Sequence, residues 1–360
     1  MIPSKNGVGA ASWALALGLL TTAGADALAQ LRPQRAYFGV GRPVLLHVEI
    51  PKGEPGEAMV QVFLPGGDQP TASVAVAAGD LDLATALPEF WRGATGLRYV
   101  QLAVGDKRIG APVVLQPLKN PPAAMLWDAR DKKPLWFDPT TRAPSLTSLA
   151  TAKVTLVGSE DGEGLSGVRA YVEQLVVMAT SLGEIEVRLR PDQAPNTCWN
   201  FMQLVRDGFY SDIIFHRIIG ARSGGNDFMA QCGDPTGTGS GGPGYNIDFE
   251  PSKLPHDFGV LSMARSADPN TAGSQFFLCF SREGTRGLDG GYCAFGQAVR
   301  GAEVIAALAK VECVLAPGGD RVPSRPKDPP RLVSAKLVDA PPMGTGPKPV
   351  APPSTPPVPR

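Results

Sequence analysis

A positively charged side chain and two amides stand out in this sequence because each occurs in an otherwise apolar segment. Arg217 lies within the run Phe-His-Arg-Ile-Ile, where a charge is expected only if it has a function or a partner. Gln231 and Gln275 each share a strand face with an apolar neighbour, since side chains two residues apart in a strand point the same way. One such segment would be explained by an ordinary core. Several in succession predict an apolar groove that holds one cation and two amides.

Motifs for other kinds of chemistry are missing or out of context. Residues 237–242 match Gly-x-Gly-x-x-Gly, but Pro243 and Gly244 follow where a dinucleotide-binding helix would have to begin. The sequence contains no P-loop, no Gly-x-Ser-x-Gly nucleophile elbow and no His-Glu-x-x-His zinc motif. The acidic residues close to His256 are predicted to belong to a solvated loop rather than to a metal site. We therefore expect no cofactor and no metal.

Composition narrows the class of protein further. The 360-residue chain carries 34 Lys and Arg against 34 Asp and Glu, so its formal net charge is zero. Without a basic excess, long-range attraction to nucleic acid or anionic lipid is not expected. The 42 glycines and 36 prolines indicate many turns and linkers and argue against a mostly helical protein.

Residues 1–29 have the features of a secretory signal peptide. Lys5 provides a positive start, Ala10–Ala23 is an apolar run, and Ala-Leu-Ala at 27–29 offers a cleavage site. The apolar run is too short to span a bilayer, and no later segment is apolar enough to do so. The sequence thus predicts an exported protein, periplasmic or secreted after cleavage near Ala29, and not an integral membrane protein.

The rest of the chain divides by composition into four parts. Residues 30–118 contain several short alternating segments and predict a small β-sandwich domain. Residues 119–165 are rich in proline and predict a linker, which few contacts should cross. Residues 166–339 form the region that carries the groove. Residues 340–360 are again rich in proline and predict a disordered tail.

Within 166–339 the pattern is one of many strands and two helices. Pro195 opens a helix whose apolar face is Cys198, Phe201, Met202 and Val205, and a second helix is predicted over Ala302 to Lys310. Short strands separated by Gly-rich loops surround them, which predicts a closed barrel with helices at its ends. The five cysteines are predicted mainly to be small buried hydrophobic residues.

The unusual segments resemble those of the cyclophilins, the cyclosporin-binding class of peptidyl-prolyl cis-trans isomerases. The resemblance rests on F-H-R-I-I, F-M-x-Q-x-G-D and N-T-x-G-S-Q-F-F, and it covers about residues 174–338, under half of the chain. It implies a mainly β fold, an eight-stranded antiparallel barrel with two capping helices, here preceded by the β-sandwich domain. The partners implied are proline-containing polypeptide segments.

The resemblance also assigns roles to residues of this sequence. It implies that Arg217 donates a hydrogen bond to the prolyl nitrogen as that atom becomes pyramidal, with Gln231 orienting Arg217 and the substrate carbonyl. Contacts with the proline ring and the extended peptide are implied for His216, Phe228, Met229, Ala264, Arg265, Gln275, Phe277, Leu288 and Tyr292.

The sequence departs from the family pattern around this groove. Gly287 stands where family members that bind cyclosporin tightly have Trp, so weak cyclosporin binding is expected. Tyr292 replaces a frequent His, and Arg265 replaces a frequent Asn. An insertion at 220–227 lies beside the groove. Two functions are compatible with these features: a prolyl isomerase that assists folding of exported proteins, or a weakly active or inactive cyclophilin-like module that binds proline-containing peptides.

Overall fold

The chain is mainly β-structure. The computed structural model describes residues 30–93, 96–120, 123–128, 133–134, 152–157, 164–220, 227–316 and 321–353. The predicted signal peptide lies outside the described residues. Within the described part of the chain, no helix has the length and apolar character required to cross a bilayer.

Strands of the N-terminal half come first in the chain. They are β1 (Leu31–Pro33), β2 (Tyr37–Gly39), β3 (Leu45–Val48), β4 (Ala58–Phe63), β5 (Ala72–Ala75), β6 (Gly79–Asp82), β7 (Arg98–Val104), β8 (Lys107–Asn120), β9 (Ala123–Asp128), β10 (Lys133–Pro134), β11 (Ala152–Val157) and β12 (Gly164–Val172). Two one-turn helices, α1 (Leu83–Ala86) and α2 (Phe90–Gly93), lie between β6 and β7.

The C-terminal half contributes the remaining strands and helices. Its strands are β13 (Gln174–Thr180), β14 (Gly183–Leu189), β15 (Ile213–Ile214), β16 (Arg217–Ile219), β17 (Met229–Cys232), β18 (Val260–Met263), β19 (Phe276–Cys279), β20 (Ala294–Arg300), β21 (Cys313–Val314), β22 (Arg325–Pro326) and β23 (Arg331–Asp339). Its helices are α3 (Pro195–Arg206), α4 (Arg282–Thr285) and α5 (Ala302–Ala309).

Two antiparallel sheets enclose the N-terminal core. One has the order β1-β3-β6 and the other β2-β12-β8-β7-β4-β5. Leu46 of the first sheet and Val60 and Leu102 of the second are fully buried in the same core. Strand β12 extends past the domain boundary predicted at residue 166, because it pairs between β2 and β8. The local sequence of β12 does not show which sheet it joins, because strand pairing depends on contacts with distant segments.

The predicted linker contains a small sheet of its own. Strands β10, β9 and β11 pair antiparallel in that order within residues 119–165. The other residues of the predicted linker between 129 and 163 lie outside the described residues.

A nine-stranded antiparallel sheet forms the C-terminal region. Its order is β15-β23-β13-β14-β20-β18-β19-β17-β16. Strands β15 and β16 lie at opposite ends of this order, yet only Phe215 and His216 separate them in the chain. The two edges of the sheet must therefore approach each other, and the sheet curls into a barrel. The sheet has nine strands where the sequence predicted eight. The difference arises because the chain forms two short strands, β15 and β16, at this point.

The two predicted helices are present. Helix α3 begins with Pro195 at its first turn and buries Cys198, Phe201 and Val205 of its predicted apolar face. Helix α5 buries Val304, Ile305 and Leu308. Four of the five cysteines are buried, as predicted. These helices pack on the curled sheet and complete its core.

Contacts between the two halves are more extensive than the sequence suggests. The Tyr171 ring lies 5.2 Å from the Trp199 ring of α3. Gln116 Nε2 donates to Asn196 Oδ1 at 2.9 Å. Four described residues of the N-terminal half are buried in the core of the barrel: Phe63, Tyr99, Val114 and Tyr171. The halves thus share apolar packing, which contradicts the expectation that few contacts cross between them.

Residues 341–353, here called the strap, run along both halves. Met343 N donates to Gln101 Oε1 of the N-terminal half at 3.0 Å. Val350 N donates to Ala298 O of the barrel at 2.9 Å, and Val350 packs against the barrel core. The described part of the predicted disordered tail is therefore docked. Proline composition could not reveal this, because the contacts are made by the few residues between the prolines.

Removing the strap should lower stability. We expect a chain that ends at Ala340 to melt about 4 °C or more below the full chain, since it loses hydrogen bonds to both halves and the burial of Val350. A chain that ends at Pro353 keeps these contacts and is the matched control. Equal melting temperatures for the two truncations, measured by calorimetry, would show that the strap contributes no stability.

The half-buried residue Glu173 lies at the junction between β12 and β13. Burial raises the pKa of Glu173 to about 7, although nearby Arg188 opposes the shift. Because the folded pKa lies above the unfolded value, Glu173 favours folding below its unfolded pKa, and this contribution is lost as the pH rises through 7. At pH 8 the folded chain must hold a poorly solvated carboxylate.

We therefore expect Glu173→Gln to raise the melting temperature at pH 8 and to leave it almost unchanged at pH 4. Glu184→Gln, at an exposed position on the following hairpin, should show no such pH-dependent difference. Each variant is compared with wild type at the same pH. This is necessary because burial also lowers the pKa of His256, so titration of His256 contributes to the pH dependence of the melting temperature in every variant. A Glu173→Gln protein less stable than wild type at pH 8 would contradict this account.

Candidate active site

Three neighbouring strands bring the predicted catalytic residues into one row. Arg217 of β16 lies directly opposite Gln231 of β17, and Gln231 lies directly opposite Phe277 of β19. All three side chains line one groove with a volume of about 1210 Å³. Residues that the sequence places on separate strands are thus adjacent because of the strand register.

A chain of hydrogen bonds fixes the orientation of the two amides. Gln275 Nε2 donates to the carbonyl oxygens of Gly239 and Gly241, at 3.0 and 2.8 Å. Its Oε1 accepts from Gln231 Nε2 at 2.9 Å, and Gln231 Oε1 accepts from Arg217 Nη1 at 3.2 Å. Because a carbonyl oxygen can only accept, the loop sets the direction of the whole chain. The result is a guanidinium held in place at the groove.

An apolar pocket lies beside the guanidinium. Phe228, Met229 and Phe277 are buried, and they pack with partly buried side chains from the surrounding loops. Those side chains are Ala264, Leu288 and Tyr292. Ala264 N also donates to Gln275 O at 2.9 Å, which fixes the chain at the end of β18. Every site residue predicted from the sequence is placed at this groove or in the hydrogen-bond chain behind it.

The rim of the pocket is formed by the residues that depart from the family pattern. The Tyr292 ring packs edge-on against Phe277 at 5.7 Å, and the Arg265 guanidinium lies 4.5 Å from the centre of the Tyr292 ring. Arg265 Nε and Nη2 donate to Gly291 O at 3.1 and 2.8 Å. A Cβ atom added at Gly287 would have no neighbour within 4 Å, so this part of the rim is open.

Two histidines differ in their surroundings. His216 lines the groove, and both its ring nitrogens are buried without a hydrogen-bond partner among the described residues. Burial lowers the pKa of His216 and favours its neutral form. The sequence predicted a solvated loop around His256. That prediction is wrong for His256 itself, because this residue is completely buried.

His256 supports the floor of the pocket. Its ring stacks on Phe277 with centroids 5.9 Å apart. His256 Nε2 lies 2.9 Å from Ser262 Oγ, and Nδ1 lies 3.1 Å from Asp289 Oδ1. The Arg282 guanidinium and the His256 hydrogen bonds hold the pKa of Asp289 well below its usual range. Sequence reasoning missed this network, because its members lie on three separate segments.

The insertion leaves the base of its hairpin intact. Ile219 remains paired with Met229, and Phe228 N donates to Ile219 O at 3.0 Å. Residues 221–226 lie outside the described residues. The strands that carry Arg217 and Gln231 therefore keep the register that the groove requires.

Comparisons with known proteins show which family this chain is similar to. Residues 175–336 match the family model described as cyclophilin type peptidyl-prolyl cis-trans isomerase. The chain is 41% identical over 169 residues to peptidyl-prolyl cis-trans isomerase-like 1 of Aspergillus fumigatus, which covers 46% of this chain and 95% of that protein. It is 46% identical over 121 residues to a peptidyl-prolyl cis-trans isomerase of Synechococcus elongatus, which covers 34% of this chain and 77% of that protein. The chain belongs to the cyclophilin family.

A solved cyclophilin structure is also similar to part of this chain. It is that of a Cryptosporidium parvum cyclophilin type isomerase in the presence of the dipeptide Ala-Pro, 34% identical, with a TM-score of 0.40, covering 46% of this chain and 98% of that one. The predicted enzyme class, peptidyl-prolyl cis-trans isomerase, is confirmed by the family model and the named relatives.

One wall of the cyclophilin groove was not predicted. Strands β21 and β22 pair with each other, and Ser324 O beside β22 accepts from Ile218 N of β16 at 2.8 Å. Val314, Arg325 and Lys327 of this hairpin line the groove. The proline-rich composition around β22 does not indicate that this segment lines the groove. Its position depends on the hydrogen bond between Ile218 and Ser324, which are about a hundred residues apart in the chain.

Proposed function

We propose that the protein isomerises X-Pro bonds of exported polypeptides in this groove, with Arg217 as the catalytic donor. The observation that carries the proposal is the fixed chain of hydrogen bonds that ends on Arg217 beside the Phe277 pocket. In this arrangement the pocket binds the proline ring and the guanidinium faces the prolyl nitrogen.

The chemistry required is modest and needs no covalent step. Rotation about the peptide bond costs about 18–20 kcal/mol because the nitrogen lone pair is delocalised into the carbonyl. A donor that bonds to the nitrogen keeps the lone pair there, and it binds the twisted state more strongly than the planar one. Burial of the bond against Phe277 also disfavours the charge-separated resonance form. Each tenfold acceleration requires about 1.4 kcal/mol, so a few contacts suffice.

The alternative function is a binding module in which the barrel holds proline-containing peptides with little turnover. Exchange spectroscopy of a short Ala-Pro peptide with the full chain distinguishes the two. An isomerase accelerates cis–trans exchange at catalytic concentration. A binding module shifts the peptide resonances at stoichiometric concentration and leaves the exchange rate unchanged. The intact Arg217–Gln231–Gln275 chain supports the enzyme.

Export is the second part of the proposal and is supported by the sequence of residues 1–29. The basic start, apolar run and Ala-Leu-Ala site predict cleavage near Ala29. Expression of the full chain in a bacterium, followed by cell fractionation and N-terminal sequencing, tests it. Uncleaved protein in the cytosolic fraction would contradict the proposal that the substrates are exported proteins in the periplasm or outside the cell.

Weak binding of cyclosporin follows from the open rim. Gly287 lines the groove without a side chain, where the tight-binding relatives present Trp. The substrate proline lies deeper, beside Phe277 and Arg217. Inhibitor binding should therefore be affected more than turnover.

A further inference from the structure

The side chains that line the groove are unbalanced in charge, although the whole chain has a formal net charge of zero. Four of them are cationic: Arg217, Arg265, Arg325 and Lys327. None of the described residues that line it is aspartate or glutamate. A cleft lined by one sign of charge concentrates the electrostatic field and favours ligands of the opposite sign.

The cations lie on both sides of the proline pocket. Arg265 follows β18, while Arg325 belongs to β22, which lies beside β16 through the Ile218–Ser324 hydrogen bond. Strands β19 and β17, which carry Phe277 and Gln231, lie between these two boundaries. An extended peptide whose proline occupies the pocket thus passes cations on both flanks.

Three carboxylates close to the groove already have partners of their own. Asp289 forms an ion pair with Arg282 at 2.6 Å. Asp234 accepts hydrogen bonds from the backbone of its own Gly-rich loop, which helps to lower its pKa to about 2 despite partial burial. Glu312 pairs with Lys327 and neutralises that one cation.

Arg265 and Arg325 have a different environment. The Arg265 donors bond to the carbonyl oxygens of Gly291, Ser266 and Ala267, which orient the guanidinium but do not neutralise it. Arg325 is exposed, and among the described residues neither arginine forms an ion pair. The Arg325 side chain is therefore available to a carboxylate of the bound peptide, and Arg265 keeps its positive charge and one N–H donor on Nη2 for the same purpose.

We propose that the groove selects X-Pro segments flanked by acidic residues, with Arg265 and Arg325 binding carboxylates on opposite sides of the proline. This inference rests on the proposed function, because it concerns the substrate of the same groove. Arg265 and Arg325 contribute to binding of the peptide rather than to rotation of its X-Pro bond. Their effect should therefore appear mainly in KM.

The test uses matched six-residue peptides with a central Ala-Pro bond and either Glu, Gln or Lys on both sides of it. Exchange spectroscopy with the full chain gives kcat/KM for each. At low ionic strength we expect the Glu peptide to exceed the Gln peptide by about three- to tenfold, and the Lys peptide to be poorer than both. In 1 M NaCl, where the Debye length is about 3 Å, the ratio should fall toward one.

Variants locate the effect. Arg325→Gln should move the ratio of kcat/KM for the Glu peptide to kcat/KM for the Gln peptide toward one, because one of the two proposed carboxylate partners is lost. Lys336→Gln removes one exposed positive charge from β23, outside the groove lining, and is the matched control that should leave the ratio unchanged.

The possible outcomes distinguish failure of the proposed selectivity for acidic segments from failure of the proposed isomerase function. If no peptide is isomerised, the proposed function fails. If the Gln and Glu peptides are isomerised equally, or if their ratio survives 1 M salt, the function stands and the selectivity for acidic segments is wrong. A phosphoserine peptide turned over tenfold faster than the Glu peptide would assign the cations to phosphate and overturn the assignment to carboxylates.

Discussion

Arg217→Ala should lower kcat/KM for an Ala-Pro peptide by about 10²–10³, the range found when a single donor to a transition state is removed from an enzyme. The variant loses the only group of the row that can donate a charged hydrogen bond to the prolyl nitrogen. Gln231 remains, but its Nε2 is already committed to Gln275 Oε1 at 2.9 Å. The loss should appear mainly in kcat, because the interaction strengthens as the bond twists.

Two further variants make the result specific. Arg217→Lys keeps the charge but loses the planar, multi-donor geometry, so it should recover only a small part of the activity. Arg300→Ala removes an arginine from the outside of the same sheet, where its side chain is 72% exposed, and should change kcat/KM by no more than about twofold. Melting temperatures of all three should remain close to wild type. Near wild-type turnover in folded Arg217→Ala would eliminate the mechanism.

Much of this site was predictable because its signals are local. Alternation along a strand placed Met229 with Gln231, and Gln275 with Phe277, on common faces. A charge inside an apolar run marked Arg217. Sequence could not show that Arg217 faces Gln231 and that Gln231 faces Phe277, because strand register depends on pairing between distant segments.

Features that were missed all depend on contacts between distant parts of the chain. His256 is buried because Ser262 and Asp289 satisfy both its ring nitrogens. A histidine within a polar segment gives no local sign of such partners. The docking of the strap was missed for the same reason. A proline-rich composition indicates that the segment cannot form a regular helix or a central strand, but it does not show that Val350 binds to the barrel.

Gly287→Trp should strengthen cyclosporin inhibition by about ten- to a hundredfold, and it should change turnover of a short Ala-Pro peptide much less. An added Cβ at this position meets no atom within 4 Å, so a side chain can begin here without a clash at its first carbon. A partly covered Trp ring contributes about 1–3 kcal/mol of apolar burial, and each 1.4 kcal/mol corresponds to a tenfold change in affinity.

The measurement compares the inhibition constants of wild type, Gly287→Trp and Gly287→Ala with the same peptide substrate. Gly287→Ala is the matched control, because it adds a side chain without the ring and should leave inhibition close to that of wild type. Tight inhibition of wild type would show that the open rim does not limit binding of the drug. If Gly287→Trp brings no gain, the insertion beside the groove can be shortened by deleting residues 221–226, which lie outside the paired ends of β16 and β17. If Gly287→Trp strengthens inhibition only after this deletion, the insertion is the cause of the weak cyclosporin binding. If Gly287→Trp strengthens inhibition neither with nor without the insertion, the open rim is not the cause.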